Sequence, residues 1–197
     1  MKIGMNRLVA LPFAVGVVFT FVPSLHAQEL TPDPGAWRPL IHADLETELP
    51  DNLTYIDVWK DALTANNRAY DAKGAPRAAG QNAPASDAHV VVRSSRWVVV
   101  LTTLDTESGC KPAELSPGAG ETIKMCPTRL VMFEGALSHT RDLPASCYLE
   151  IEPATATDPN DDASYAAFDT VTRTIKIGLI VNHRAVDECS RFISTAP

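Results

Sequence analysis

The hydrophobic pattern changes character along the chain. Leu8 to Val22 is almost wholly apolar and carries no charge. Between Asp51 and Tyr70, the positions Leu53, Ile56, Trp59, Leu63 and Tyr70 recur at helical intervals, and Asp51 after Pro50 suits a first turn. That spacing predicts a helix over 51–70. The central Tyr55-Ile56-Asp57-Val58-Trp59 also alternates, so a strand there is the competing reading.

From Ala88 the pattern becomes that of strands. His89 to Val92 and Arg96 to Leu101 are β-branched runs flanking Arg93-Ser94-Ser95, and predict a hairpin or one bent strand. Thr122–Met125, Leu130–Glu134, Cys147–Ile151, Tyr165–Phe168 and Thr174–Val181 are further strand segments, with Asp169–Arg173 as a hairpin connection. Ile175, Ile177 and Leu179 alternate with Thr174, Lys176 and Gly178, giving one buried and one wet face. A short terminal helix carrying Val186, Cys189 and Phe192 is expected after Asn182.

Together these elements predict an α+β domain: one N-terminal helix packed on a mainly antiparallel β-sheet and stabilised by disulfides. An all-β sandwich is the alternative. Residues 28–50, with four prolines, read as an extended lead-in that Trp37, Leu40 and Ile41 tack to the core. Residues 51–197 read as a single domain. Within it, the Ala-, Gly- and Pro-rich stretch 71–87 reads as a flexible loop.

The apolar run changes meaning once its flanks are considered. Lys2 and Arg7 precede it, and Pro23 to Ala27 follow it with a turn and a small residue. This is the layout of a cleavable signal peptide over residues 1–27, which predicts a periplasmic or secreted protein, and the brief basic segment before the apolar run reads as bacterial. Fifteen apolar residues interrupted by Pro12 fall short of the ~20 that span a bilayer, so no stable membrane insertion is expected once the signal is removed.

Charge and cysteines sharpen this. The chain has 17 Lys plus Arg against 24 Asp plus Glu, and loss of the signal takes two bases and no acid, leaving −9. Such a balance argues against a nucleic-acid partner, which demands an excess of basic residues. Cys110, Cys126, Cys147 and Cys189 are an even set without C-x-x-C spacing, so disulfides are expected over a metal or catalytic role. The strand order favours Cys110–Cys126, closing a loop between two strands, and Cys147–Cys189, pinning the C-terminal segment.

Candidate chemistry is sparse. Asp158, Asn160, Asp162, Ser164 and Asp169 fall at calcium-loop offsets, but Ala163 stands where the turn glycine belongs and the flanks read as strands. A solvated acidic loop is the plainer reading; calcium is the only cofactor the sequence suggests. Among His42, His89, His139 and His183, His183 lies four residues from Asp187 and would share a helical face with it. No G-x-S-x-G elbow occurs. Arg93, Arg96 and Trp97 cluster at a bend and are residue types that dominate protein interfaces, although Trp97 equally suits a core. Asn52-Leu53-Thr54 is a glycosylation sequon that a bacterium would leave unused.

The functional expectation is therefore an exported, non-catalytic binding or accessory domain with an unidentified protein partner, of inhibitor, immunity or envelope-assembly type. The alternatives are a small secreted hydrolase whose site forms only on folding, and a calcium- or ligand-binding module at 158–169.

Overall fold

The computed structural model describes residues 37–113, 123–135, 137–149 and 162–195. The expected signal peptide, the lead-in before Trp37, and Asp158 and Asn160 lie outside them. The described residues form two antiparallel sheets and two short helices.

Residues Arg38–Pro39 (β1) and Ile41–Asp44 (β2) are successive short strands that enter different sheets. They are followed by helices α1 (Leu53–Val58) and α2 (Lys60–Ala72). Next come β3 (Ala85–Arg93), β4 (Val98–Thr106), β5 (Lys111–Pro112), β6 (Lys124–Glu134) and β7 (Leu137–Tyr148). The chain closes with β8 (Ala163–Asp169), β9 (Thr174–Val181), β10 (Arg184–Ala185), a 3₁₀ turn at Asp187–Cys189 and β11 (Arg191–Ser194). One sheet runs β2-β3-β4-β6, with β5 and β7 both pairing β6. The other runs β1-β8-β9, with β10 and β11 both pairing β9.

Strand β4 explains how the layers stack, because nearly all of it is buried on both faces. Val99 and Leu101 point one way, with Leu130 of β6, and meet Ala166, Ile175, Ile177 and Ile193 of the second sheet. Leu104 points the other way and meets Leu45, Trp59, Leu63 and Ala85 under the helices. A run read as a β-branched strand is thus the shared middle layer of two apolar cores, which is why its pattern is continuous and not alternating.

Several expectations need correction. Two helices stand where one was expected. The helical segment breaks at Trp59, and Arg129 Nη1 takes Val58 O at 2.6 Å, a carbonyl an unbroken helix would offer to residue 62. Two facing sheets also replace the single sheet, so the fold joins features of the α+β expectation and of its sandwich alternative. Lys124 to Glu134 is one strand, not two segments. Strand β7 begins at Leu137 and carries Cys147 near its end. After Asn182 there is no α-helix: Asn182 and His183, with φ of 52° and 61°, make the two-residue turn between β9 and β10. Positive φ at both central residues is what such a hairpin turn demands. Arg93–Trp97 is a hairpin connection, with Ser94 Oγ accepting from the Arg96 and Trp97 amides.

The segment 71–87 is divided between two elements and the connection that joins them. Asp71 and Ala72 finish α2, and Ala85 to Asp87 open β3. The stretch between is tied down: Ala83 is buried, Asn82 Nδ2 donates to Leu45 O at 2.9 Å, and Ala83 N donates to Asn67 Oδ1.

Disulfides join Cys110 to Cys126 and Cys147 to Cys189. The second lies in an apolar cluster with Ile123, Leu149 and Leu179, fastening the C-terminal segment to the end of β7. No helix among the described residues is long and apolar enough to cross a membrane.

Candidate functional site

The helix-facing side of the six-stranded sheet carries an unusual concentration of polar side chains. A strand presents every second residue to one face, so Asp87, His89, Val91 and Arg93 of β3 share it. Register places Thr102 of β4 beside His89, Arg129 of β6 beside Thr102, and Asp142 of β7 beside Arg129. Four polar residues therefore cross the sheet in one row.

Asp87 is wholly buried and satisfied from three directions. Trp59 Nε1 donates to Oδ1 at 2.9 Å, the Thr102 hydroxyl donates to the same oxygen, and His89 Nδ1 faces Oδ2 at 2.8 Å. Tyr55 of α1 stacks on the His89 ring, centroids 3.9 Å apart at 22°. Burial pushes the Tyr55 phenol up, and the Asp87 charge adds to this while Arg93 opposes it. An Asp–His pair is the arrangement that orients an imidazole for base catalysis. Here the ring is covered by Tyr55, and the carboxylate that orients it also holds the Trp59 indole. The network fastens helix to sheet.

Arg129 makes the second fastening. Its Nη1 and Nη2 take both Asp61 oxygens at 2.7 Å, and Nε takes Asp142 Oδ1 at 2.7 Å. Its guanidinium lies 4.5 Å from the centre of the Trp59 ring. Hydrogen bonding to Arg129 holds the Asp61 carboxyl at about 2, and the two carboxylates push Arg129 further up.

Beside this clamp the helices leave part of the sheet uncovered. The result is an open groove of about 630 Å³ between α1–α2 and β6–β7. Its floor is the half-buried Phe133 beside the fully buried Val131, one wall is Thr54, Asp57, Val58 and Asp61, and the other is Ser138, Thr140 and Asp142. An apolar floor inside a rim of hydroxyls and carboxylates can receive an apolar group flanked by a cation or by hydrogen-bond donors.

The residues singled out from sequence are distributed differently. Arg93, Arg96 and Trp97 do come together at the β3–β4 hairpin, where both arginines are exposed. Trp97 packs at the margin of the inter-sheet core, edge-on to Phe168 at 5.7 Å and beneath Arg173 at 5.8 Å. Ser164 and Asp169 stand at opposite ends of extended β8, roughly 16 Å apart by strand rise, so they cannot serve one ion. The Ser164 hydroxyl accepts the Leu149 amide at 3.0 Å, and Asp169 caps the β8–β9 turn through the Val171 and Thr172 amides. Asp162 is exposed. Among the described residues, one group has metal-ligand proximity, Asp105 with Cys110 and Cys126, and its two sulfurs are joined in a disulfide. His183 sits in a turn and Asp187 in a 3₁₀ turn, so the helical His–Asp face does not form.

Sequence reasoning missed Asp87, Arg129 and the groove. The available signal was Asp87-Ala88-His89, two ionisable residues on one face of an apolar strand. Comparison with protein families, curated proteins and solved structures finds no match to the chain.

Proposed function

We propose that this protein is an exported, non-catalytic binding domain of the bacterial periplasm or extracellular space, and that the groove beside Arg129 receives a protein partner. The groove carries the reading: it pairs an apolar floor with a polar rim, and its walls are locked by Arg129 and by the Trp59–Asp87 contact. Rigid walls lower the ordering cost of binding. The strongest acid–base pairing near it, Asp87 with His89, is engaged in holding Trp59. The rim sets three carboxylates against one guanidinium, which favours a partner bearing Lys or Arg beside an apolar side chain. The export pattern of residues 1–27 and the two disulfides support the compartment.

The test is quantitative capture from envelope and supernatant fractions by the disulfide-intact protein and two variants, Phe133→Asp and Arg96→Ala. A stoichiometric partner retained by Arg96→Ala and lost with Phe133→Asp supports the groove. Loss only with Arg96→Ala moves the face to the hairpin, and absence of any saturable partner overturns the reading. Circular dichroism of the Phe133→Asp variant separates lost binding from lost folding.

A further inference from the structure

Among the described residues the longest strand is also an edge. Strand β7 has twelve residues and, among the described residues, pairs only with β6. Long open edges template pairing with another chain, and proteins blunt them with prolines, bulges and covering groups. Those devices are present in β7 but confined to its second half. Between Leu143 and Ser146 the register with β6 shifts, leaving Pro144 and Ala145 opposite Pro127 alone. Arg191 then covers this end, donating to Pro144 O at 2.6 Å and to the Ser146 hydroxyl. Residues Leu137 to Asp142 are all exposed, Leu137 by 66%.

This unprotected half is complementary to itself. It reads Leu137-Ser138-His139-Thr140-Arg141-Asp142-Leu143, with leucines at equal distances from Thr140. We infer that two copies of the chain pair antiparallel through β7, with the two-fold axis at Thr140, joining their six-stranded sheets into one. In that register Thr140 faces Thr140, a favourable cross-strand pair. Ser138 faces Asp142 of the other copy, a hydroxyl donor against a carboxylate. His139 faces Arg141, placing an imidazole against a guanidinium. Leu137 meets Leu143, which packs at the margin of the inter-sheet core, so the exposed leucine extends an apolar core already present.

Charge permits the contact despite the acidic chain. Residues 137–143 hold one arginine and one aspartate. Both are exposed but engaged within their own chain, Arg141 with Ser194 O and Asp142 with Arg129. An isologous two-fold contact of this kind closes on itself and does not propagate into fibres. The pairing shares Ser138, Thr140 and Asp142 with one wall of the groove, and its tests read self-association and not capture of a partner.

The described cysteines are all paired, so an added thiol reports its own neighbours. Thr140→Cys places two thiols directly opposite across the axis, within the Cα spacing a disulfide needs. Ser138→Cys places them four residues out of register, about 13 Å apart. The pairing predicts that the wild-type protein sediments as a dimer whose proportion rises over about a hundredfold range of concentration. It predicts that Thr140→Cys gives a covalent dimer on oxidation where Ser138→Cys does not. Thr140→Lys, which sets two ammonium groups face to face, should sediment as a monomer with an unchanged circular dichroism spectrum. A wild-type protein that stays monomeric overturns the pairing. So does equal cross-linking of both cysteine variants, or a dimer that Thr140→Lys leaves intact, since each would move the contact elsewhere.

Discussion

Trp59 and Asp87, twenty-eight residues apart, meet at 2.9 Å through the indole N–H, in a site with no access to water. The contact anchors to the sheet the residue at which the helical segment breaks, and so contributes to which part of the sheet the helices cover and where the groove opens. Removing the carboxylate would leave the Thr102 hydroxyl and the His89 ring without the group they share, while the Trp59 N–H would keep the Thr102 oxygen at 2.9 Å. Truncating one member of a buried charged network costs roughly 3–5 kcal/mol. Asp87→Ala should lower the urea midpoint by that order. Asp87→Asn keeps the shape and one acceptor oxygen, and should cost distinctly less. Equal losses would mean that Asp87 acts by volume alone.

The Arg129–Asp61 pair gives the protein an acid sensitivity with a defined window. Asp61 is held at about 2 against an ordinary 3.8, chiefly by hydrogen bonding to Arg129. A carboxyl whose folded value is depressed contributes stability that is complete above about pH 4 and is lost as pH falls through 2. The Asp61 side chain is largely exposed, so after solvent screening this contribution is at most about 1 kcal/mol. Unfolding free energies measured from pH 5 to pH 2 should fall more steeply in the wild type than in Asp61→Asn. Parallel curves would show that Arg129 draws its hold on the helix from Val58 O and Trp59 instead.

The two disulfides should differ in weight. They close separations of 16 and 42 residues. The chain-entropy model assigns about 3 and about 4 kcal/mol respectively. Replacing Cys147 and Cys189 together by alanine should thus destabilise more than replacing Cys110 and Cys126, as read by thermal unfolding. The reverse order would mean that the loop carrying Cys110 is organised mainly by its cross-link to β6.

Much of the sheet was legible because its signals are local. Ile175, Ile177 and Leu179 alternate, and each faces inward. Asp169 and Ser94 lie at turns where short polar side chains can take free amides. The cysteine pairing also followed from strand order. What could not be read was anything set by a partner distant in sequence. Trp59 and Leu63 have helical spacing, yet the break between α1 and α2 depends on Arg129, which is seventy-one residues from Val58. Strand β7 was missed because an edge strand facing solvent on both sides has no apolar alternation from Ser138 to Asp142. The groove was invisible for the same reason, since its floor and walls come from four elements.

Gly178 offers a test in which the sign of the effect reverses. Its backbone is not left-handed, so conformation does not require glycine there. Space does: a Cβ at this position would lie 3.0 Å from Trp37 Cη2 and 3.3 Å from Cζ3. The Trp37 indole rests on this bare stretch of β9, edge-on to Tyr165 at 6.5 Å, where β1 joins the sheet. Gly178→Val should therefore cost roughly 1–3 kcal/mol through overpacking. In a Trp37→Ala background the two closest contacts are gone and only the Ser190 hydroxyl remains, at 3.4 Å, so a β-branched residue inside a strand should instead gain about 0.5–1 kcal/mol over glycine. Chemical denaturation of the four proteins of this cycle measures the coupling directly. An equal effect of Gly178→Val in both backgrounds would show that Trp37 does not depend on the glycine for its seat.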